Sequence, residues 1–289
     1  MLNPFESTPM QTYRFYLVNV FARQHFGGNP LAVFPEADGL TETQMQQIAR
    51  QFNLSETVFI LSPTRTDAVR KLKIFTPDHE LPFAGHPTIG SAFIIRQLFT
   101  DADRYTLETE AKLAEITHQN DLITFALNGE VQTEPCHIAR DRLAEVLGLQ
   151  ECDIAETQWV NTGTWQLLIQ LADRQAVSRC RVSPTAFAEA FDGALSPSCY
   201  VWFAEAGTAQ VRLFAQHGSS LIEDPGTGSA AANLGGWLLA RRQIPAELMI
   251  RQGDEIGRPN RLSLKVEADG RIFVGGNVIK VGSGEFTVA

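Results

Sequence analysis

The sequence predicts an α+β protein of two similar halves, each with several strands around one buried helix. The first observation is a seven-residue pattern that occurs twice, at 86–92 and 224–230, 138 positions apart. The second is that each copy opens a long run of small and apolar residues, which is typical of buried helices. The third is that segments with β-strand patterning precede and follow both runs. Strands grouped around a helix, without regular alternation of strand and helix, are typical of the α+β class.

The repeated pattern superposes proline on proline, glycine on glycine and Ser-Ala on Ser-Ala, and it places His86 at the position of Asp224. Proline suits the first helical position, where its missing N–H costs nothing. Both copies therefore predict helix starts, with Pro87 and Pro225 in the first turn. A match between two short segments of small residues can also arise by coincidence.

The first half reads as strands followed by one buried helix and further strands. A capping box that starts at Thr41 and apolar residues at helical spacing predict a helix over 41–52. A loop over 76–85 leads into the first buried helix, 89–99. Alternation and β-forming residues predict strands at 13–21, 31–34, 58–61, 69–75, 104–110, 112–117 and 122–127.

The second half repeats this arrangement with extra helices. Regular periodicity lapses over 128–137, so we predict one domain over 1–128 and a second over 129–276. A glycine-serine loop leads to the second repeat and its buried helix, 230–240. Helices are predicted at 139–147, 173–179 and 185–191, and strands at 157–161, 165–171, 199–204, 209–214, 247–252, 261–267, 271–274, 277–281 and 285–288.

Composition excludes several classes of function. The 289 residues are 44% hydrophobic and 20% charged, and the net charge is −9 without a basic run. This composition argues against a nucleic-acid surface and an anionic membrane surface. No apolar stretch is long enough to span a bilayer. Residues 1–11 lack a signal-peptide core and are expected to form a short, loose leader. The four scattered cysteines give no metal-ligand spacing and no dense disulfide framework, so a reducing, cytoplasmic setting is the default expectation.

The two helix starts suggest binding of a small carboxylate. Helix N-termini present unpaired backbone N–H groups and a partial positive charge, so they bind anions. His86 and Asp224 would then occupy equivalent places in two halves of one site. Each also has a simpler interpretation, because aspartate is a common N-cap and histidine a common hydrogen-bonded loop residue. The repetition favours the functional interpretation.

Glu56 is the other carboxylate of interest. It follows an amphipathic helix and precedes an apolar strand, with Ser55 and Thr57 as its close polar neighbours. A partly buried glutamate has a raised pKa and suits general acid–base work. A solvated turn residue or cap would have the same sequence context, so spacing alone leaves both interpretations open.

Other candidate motifs are weaker. The glycines after Pro225 fit a loose dinucleotide fingerprint, but Glu223 and Asp224 would repel a pyrophosphate and no strand–helix–strand unit surrounds them. The histidine spacing does not support a metal site. Ser229 could join a serine, histidine and aspartate arrangement, but it sits where helix amides should bind an anion. We therefore interpret it as a ligand contact or cap.

Several motifs together resemble the phenazine biosynthesis PhzF-like isomerases, in order and over nearly the whole chain. The segments that carry the resemblance are Gly28-Asn29-Pro30-Leu31-Ala32-Val33-Phe34, Asn53-Leu54-Ser55-Glu56-Thr57, Phe75-Thr76-Pro77, Glu80-Leu81-Pro82-Phe83-Ala84-Gly85-His86-Pro87, Glu223-Asp224-Pro225-Gly226-Thr227-Gly228-Ser229-Ala230-Ala231 and Gln252-Gly253-Asp254-Glu255-Ile256-Gly257-Arg258-Pro259.

The resemblance implies a diaminopimelate epimerase-like fold, in which two similar domains each wrap a barrel-like sheet around a central helix. It implies that 277–289 returns to the first domain and that the active site lies between the domains. No cysteine lies near either helix start, so the two-thiol chemistry of diaminopimelate epimerase is not expected. The resemblance also implies a homodimer, which agrees with the prevalence of twofold symmetry, and a reaction without cofactor or metal.

The resemblance also implies roles for individual residues. The matching positions make Glu56 the group that moves a proton, and His86 and Asp224 the groups that assist and orient the substrate. Gly85, Gly228 and Ser229 would bind the substrate carboxylate, with Asn29 as a further contact. Two departures are expected to reshape the pocket. Ala215-Gln216 stand where the phenazine enzyme has Ser-Pro, and Lys112 stands where it has glycine.

The residues themselves also favour Glu56 as the proton carrier. The helix dipole would stabilise the charged form of Asp224 and disfavour a charged His86. Glu56, between a helix and an apolar strand, would have its pKa raised by desolvation. We therefore predict a cofactor-independent isomerase or epimerase of a small amino- or hydroxy-carboxylate. The alternatives are a carboxylate-binding protein that kept the fold without turnover and a dinucleotide oxidoreductase.

Overall fold

A computed structural model describes residues 10–127, 130–217 and 220–288. Most of the expected leader, residues 128 and 129 of the expected domain boundary, and residues 218 and 219 of the expected glycine-serine loop lie outside these ranges. Within them, no helix has the length and apolar character that crossing a membrane requires.

The described ranges contain six α-helices, one short 3-10 helix (Glu151–Asp153) and eighteen strands. The helices are α1 (Glu42–Phe52), α2 (Gly85–Leu98), α3 (Arg140–Leu147), α4 (Arg174–Arg179), α5 (Pro184–Ala190) and α6 (Gly228–Ala240). The strands before α3 are β1 (Gln11–Val20), β2 (Asn29–Phe34), β3 (Thr57–Leu61), β4 (Arg70–Phe75), β5 (Glu80–Leu81), β6 (Arg104–Glu108), β7 (Leu113–Gln119), β8 (Leu122–Leu127) and β9 (Gln132–Pro135). Those after it are β10 (Ile154–Asn161), β11 (Trp165–Leu171), β12 (Ser198–Glu205), β13 (Thr208–His217), β14 (Ser220–Asp224), β15 (Ala246–Gln252), β16 (Asn260–Val266), β17 (Ile272–Gly276) and β18 (Val278–Val288).

The chain divides into two compact units. The first comprises the described parts of Met1–Val20, Pro30–Ile123 and Val278–Ala289. The second comprises Phe21–Asn29 and the described parts of Thr124–Asn277. This division differs from the predicted domains in two respects. Phe21–Asn29, which follows β1, belongs to the second unit, and the unit boundaries fall at Thr124 and Val278 and not at 129 and 277.

The two units share the strand order from β1 to β7 and from β10 to β16, but the strand beside β1 is the last of the chain, whereas the strand beside β10 directly precedes it. In the first unit the sheet runs β18–β1–β2–β3–β4–β6–β7, with β5 also paired to β4. In the second it runs β9–β10–β11–β12–β13–β15–β16–β17, with β14 also paired to β13. Most neighbours are antiparallel, as predicted, and the α+β class is confirmed.

Each sheet nevertheless contains two parallel pairs at corresponding places. These are β2 with β3 and β4 with β6 in the first unit, and β11 with β12 and β13 with β15 in the second. Parallel neighbours need a crossover connection, which is usually a helix. Here α2 and α6 form the crossovers β4–α2–β6 and β13–α6–β15. The expectation that strand–helix–strand units would be absent was therefore wrong at these places.

The central helices are buried on nearly every side, as their composition predicts. Ten of the 14 residues of α2 and ten of the 13 of α6 are buried. Strand side chains approach the helix backbone closely. A Cβ atom on Gly90 would lie 2.5 Å from a methyl carbon of Leu31, and one on Gly235 would lie 2.8 Å from a methyl carbon of Ile272. These helical glycines therefore allow close helix–sheet packing.

The other face of each sheet is covered by outer helices. In the first unit α1 begins with the predicted capping box, and its apolar face packs against phenylalanines that include Phe34, Phe59 and Phe75. In the second unit α3, α4 and α5 pack against a cluster that contains Cys199, Val201 and Phe214. Successive strand residues point to opposite faces of a sheet. The strand residues that alternate with those packed under the outer helices therefore face the central helix.

The helix starts differ from the prediction in register. The N-caps are Ala84 and Thr227, so Gly85 and Gly228 are the first helical residues, 143 positions apart (228 less 85). His86 lies inside the first turn of α2, whereas Asp224 is the last residue of β14. The repeated pattern therefore does not mark structurally equivalent residues, because its copies are displaced by five positions relative to the helices.

Three smaller expectations also change. Pro87 is the third residue of α2 and Pro225 precedes the cap of α6, so neither occupies the first helical position. The two predicted terminal strands are one strand, β18, which pairs along β1 with a single irregularity. Short strands β5, β9 and β14 form in segments that were predicted as loops or linkers.

Candidate active site

Glu56 lies between the end of α1 and the start of β3. Helix α1 ends at Asn53, which adopts a left-handed conformation with φ 51° while its N–H donates to the carbonyl of Ala49. Three residues later Glu56 immediately precedes the buried strand β3. Its side chain is 16% exposed. The polar break after the helix thus places a carboxyl group at the edge of an apolar core.

His86 lies against this carboxyl group. Its Nδ1 is 3.4 Å from Oε2 of Glu56, which is longer than an ordinary hydrogen bond. Burial lowers the pKa of His86 from 6.5 to about 3, and a hydrogen bond with the backbone of Pro30 opposes this shift only in part. The imidazole is therefore neutral at pH 7. The cause is desolvation, whereas the sequence argument invoked the helix dipole.

The start of α2 has no side-chain cap. The hydroxyl and N–H of Thr88 both donate to the carbonyl of Ala84, which begins the helical hydrogen bonds. The N–H groups of Gly85 and His86 precede this point, where helix amides lack intrahelical acceptors. Pro87 has no N–H. The first turn therefore offers two backbone donors to an anion, beside a neutral imidazole and a carboxyl group.

In the second unit, Asp224 is fixed by several hydrogen bonds. Its Oδ1 accepts from Nδ2 of Asn29 at 3.1 Å, and its Oδ2 accepts a short hydrogen bond from the hydroxyl of Thr227. Nε2 of Gln252 donates to the Asp224 carbonyl and to Oγ1 of Thr227, both at 2.9 Å. Oε1 of Gln252 accepts from the Thr227 N–H at 3.1 Å. This wholly buried glutamine thus holds the turn between β14 and α6.

Asn29 is presented to Asp224 by a glycine turn. Gly28 has φ 81°, which favours glycine, and its N–H donates to the carbonyl of Pro259 at 2.9 Å. Nε and Nη2 of Arg258 donate to the Gly28 carbonyl at 3.1 and 3.0 Å. Both the Gly28 and Arg258 motifs of the sequence therefore serve to position Asn29. The predicted substrate contact of Asn29 itself stays a prediction.

The start of α6 offers a second set of donors. Thr227 uses its hydroxyl on Asp224 and does not cap the helix, so the amides of Gly228 and Ser229 lie at an uncapped N-terminus. Oγ of Ser229 accepts from Nε2 of Gln166 at 3.2 Å. The hydroxyl proton of Ser229 is therefore directed to another acceptor, as binding a carboxylate requires. Oε1 of Gln166 accepts in turn from the buried Asn233 at 2.8 Å.

The predicted residues thus form two groups, Glu56 with Gly85 and His86, and Asn29 with Asp224, Gly228 and Ser229. The sequence did not single out Gln252, Thr227 or Gln166 as functional. Thr227 and Gln252 lie within quoted motifs, so the motifs could have indicated their roles. No pattern pointed to Gln166. In the described ranges, no three His, Cys, Asp or Glu side chains cluster as a metal site would require.

Comparison with known proteins identifies the family. A family model described as phenazine biosynthesis-like protein, PhzC-PhzF, matches residues 18–284. The chain belongs to this family. It is 51% identical over 276 residues to an uncharacterized isomerase of Pasteurella multocida, covering 96% of this chain and 94% of the relative. It is 34% identical to the trans-2,3-dihydro-3-hydroxyanthranilate isomerase of Pseudomonas aeruginosa, covering 89% and 92%.

Solved structures agree with this assignment. A PhzF-family phenazine biosynthesis protein of Bacillus anthracis superposes with a TM-score of 0.84 at 24% identity, over 96% of this chain and 99% of the other. A predicted epimerase of Pseudomonas aeruginosa superposes with a TM-score of 0.81 at 27% identity, over 96% and 100%. The PhzF-like, diaminopimelate epimerase-like fold is therefore confirmed, and the chain is an enzyme of the isomerase class.

Proposed function

We propose that this PhzF-family enzyme is a cofactor-independent isomerase that moves a proton on a small carboxylate, with Glu56 as general acid and base. The observation that carries the proposal is the contact between Glu56 and the neutral His86 at the uncapped start of α2. A carboxyl group at the edge of an apolar core, beside backbone donors for an anion, suits proton transfer next to a carboxylate.

In the proposed reaction, the carboxylate of Glu56 removes a proton from one substrate carbon and becomes a carboxylic acid. It then returns the proton to another carbon, and no group is consumed. The neutral His86 cannot compete as a cation and serves as a hydrogen-bonding partner. Asp224 already accepts from Asn29 and Thr227, so we assign it to orienting the substrate.

We assign the substrate carboxylate to the backbone amides of Gly85, Gly228 and Ser229, with the Ser229 hydroxyl as a further donor. Helix N-termini stabilise negative charge through these amides and through the helix dipole. Asp224 would repel a second carboxylate. The substrate should therefore carry an amino or hydroxyl group that donates a hydrogen bond to the Asp224 carboxylate.

The relative from Pseudomonas aeruginosa suggests the first substrate to test, trans-2,3-dihydro-3-hydroxyanthranilate, which has all three groups. This chain departs from the phenazine enzyme at Lys112. Nζ of Lys112 lies 4.2 Å from the centre of the Phe83 ring, in the segment that leads to α2. Because this departure lies near the start of α2, we propose to test related cyclic hydroxy- and amino-carboxylates beside that compound.

Solvent-deuterium incorporation tests the proposal. The protein is incubated in D₂O with trans-2,3-dihydro-3-hydroxyanthranilate and with a panel of hydroxy- and amino-carboxylates, and carbon-bound protons are followed by NMR. Enzyme-dependent exchange at a carbon is expected for at least one compound without added metal or cofactor. Saturable binding without any exchange would support the carboxylate-binding alternative. Exchange that requires an added nicotinamide or flavin would contradict cofactor independence.

We also propose that the enzyme is a cytoplasmic homodimer. The four cysteines carry free thiols, the state that a reducing compartment maintains. Twofold dimers are the commonest soluble oligomers. Light scattering at assay concentration should give a mass near twice 31.9 kDa. A monomer mass would contradict the dimer and leave the proposed reaction untouched.

A further inference from the structure

One polar side chain inside the second unit has no role in the site described so far. Tyr200 lies in β12, is wholly buried, and its hydroxyl has no hydrogen-bond partner among the described residues. A buried hydroxyl without a partner is costly, and the great majority of buried polar groups are satisfied. The hydroxyl of Tyr200 therefore needs a partner that the described residues do not supply.

Strand register places Tyr200 in the same row as Asp224. Tyr200 is opposite Leu213 on the neighbouring strand, and Leu213 is opposite Asp224 on the next. Residues directly opposite in adjacent strands point to the same face of a sheet, and strands lie about 4.8 Å apart. The side chains of Tyr200 and Asp224 thus share one face, two strand spacings apart.

That face is the one toward the central helix α6. The alternate residues Cys199 and Val201 belong to the cluster under the outer helices. Trp202, two residues after Tyr200, packs edge-on against Trp237 of α6 with ring centres 5.5 Å apart. Tyr200 therefore extends toward the same side as Asp224 and the start of α6.

Burial and the negative charge of Asp224 shift the pKa of Tyr200 in the same direction. Burial, and to a smaller extent the negative Asp224, raise the pKa of Tyr200 well above its ordinary value. Tyr200 therefore keeps its proton throughout the physiological range. The pair offers a hydrogen-bond donor, the tyrosine O–H, beside an acceptor, the carboxylate.

We propose that Tyr200 is a substrate-binding residue that donates a hydrogen bond to a hydroxyl substituent of the substrate, while that hydroxyl donates to Asp224. A hydroxyl group has both a proton and lone pairs, so one oxygen can satisfy both side chains. A protonated amino group has no lone pair and would leave the tyrosine proton unsatisfied. The inference rests on the proposed function and narrows its substrate to a hydroxy-carboxylate.

A binding cycle with two probes tests this inference. Dissociation constants of 3-hydroxyanthranilate and of anthranilate, which lacks the hydroxyl, are measured by calorimetry for the wild-type protein and for Tyr200→Phe. The wild-type protein should bind 3-hydroxyanthranilate more tightly. In the variant its affinity should fall about tenfold, roughly the value of one hydrogen bond, while that of anthranilate changes less than twofold.

Thermal unfolding separates binding from a structural role. Tyr200→Phe removes a buried hydroxyl without a partner, so its melting temperature should equal or exceed that of the wild type. Tyr105→Phe is the matched control. The hydroxyl of Tyr105 is partly buried, donates to the Ala92 carbonyl at 2.9 Å and contacts Nε2 of His118 at 2.9 Å. The control should therefore melt at a lower temperature and keep the preference for 3-hydroxyanthranilate.

Three results would overturn the inference. They are a wild-type protein that does not prefer 3-hydroxyanthranilate, equal losses for both probes in Tyr200→Phe, and a lower melting temperature in that variant. Failure of the proposed function would look different, because it would abolish deuterium exchange without changing the affinity ratio of the two probes.

Discussion

The two central helices begin in different surroundings, although they occupy the same place in the same strand order. At the start of α6, Asn29, Thr227 and Gln252 hold the Asp224 turn with hydrogen bonds. At the start of α2, His86 lies 3.4 Å from Glu56, and its Nε2 has no hydrogen-bond partner among the described residues. The same frame thus carries one site held by several hydrogen bonds and one in which an imidazole nitrogen has no partner among the described residues.

This difference corresponds to different chemical tasks. A carboxylate that accepts several hydrogen bonds is stabilised in its charged form, so it is a poor base. Asp224 is in this state and suits orientation. A group that takes and returns a proton must be stable in both protonation states, which a saturated hydrogen-bond shell would prevent. Glu56 lies beside the imidazole of His86, which is neutral at pH 7 and adds no positive charge that would hold the carboxylate in its charged form, and this suits that task.

The largest expected effect is on Glu56. Glu56→Gln keeps the shape of the side chain and removes the base, so deuterium exchange should slow by about 10²–10⁴, the usual contribution of a general base. Ligand affinity should change little. The kinetic measurement is the exchange rate at saturating substrate, with Asp224→Asn as the comparison. Near-normal exchange in Glu56→Gln, with Asp224→Asn or His86→Ala inactive, would mean that Asp224 or His86, and not Glu56, carries the proton.

The next effect is on stability at low pH. His86 has its pKa lowered from 6.5 to about 3 in the folded protein. Between these values the unfolded chain binds a proton that the folded chain does not, so stability falls as pH falls. Relative to His86→Asn, the wild type should lose about 1.6 kcal/mol from pH 6.5 to 5, with a slope that approaches about 1.4 kcal/mol per pH unit below pH 6. Urea unfolding of both proteins over this range is the measurement, and parallel stability curves would contradict the buried neutral state.

Local patterning was sufficient to predict most of the fold. The capping box at Thr41 and the apolar periodicity of α1 act within a few residues, so they are visible in the sequence. The start of α6 was harder to predict. Its cap and Asp224 depend on Gln252, 28 residues beyond Asp224. A hydrogen bond of this kind follows from strand pairing and leaves no local periodic signal.

The repeat was informative about topology and misleading about register. Arg70 and Thr208 take the same place in the parallel pairings of β4 and β13, at the predicted offset of 138 (208 less 70). The helix starts are 143 apart because the connections between strand and helix are not the same. Small residues recur in both segments because both helices are closely packed. That composition cannot identify which serine or proline is equivalent.

Substitution of Gln252 tests the hydrogen bonds that hold the turn between Asp224 and α6. Gln252→Leu would leave the Thr227 N–H and the Asp224 carbonyl without their partner, so it should lower the free energy of unfolding by about 1–3 kcal/mol. Because it releases Asp224, kcat/KM should also fall about tenfold. Chemical unfolding and the exchange assay measure the two effects.

Gln46 is the matched control in the first unit. Its Nε2 donates to the carbonyls of Thr76 and Pro77, at 2.9 and 3.0 Å, in the segment before α2. Gln46→Leu should lower stability but change kcat/KM less than twofold, because these hydrogen bonds of Gln46 hold a loop segment and not a catalytic side chain. Equal kinetic losses in both variants would mean that Gln252 acts only through stability.

The smallest expected effect separates the sequence repeat from the structural equivalence. The repeat aligns Ser91 with Ser229, but Ser91 is the seventh residue of α2 and Ser229 the second of α6. Oγ of Ser229 accepts from Gln166 and keeps its proton for a ligand, whereas Oγ of Ser91 is buried without a partner among the described residues. Ser229→Ala should therefore raise KM about two- to tenfold with kcat unchanged, the value of one hydrogen bond to the substrate carboxylate. Ser91→Ala should leave KM unchanged and should not lower the melting temperature, since it removes an unsatisfied hydroxyl. If both variants raised KM alike, the helix starts would not be the carboxylate site. The sequence repeat, with its offset of 138 residues, would then match functional residues better than the helix starts, which are 143 residues apart.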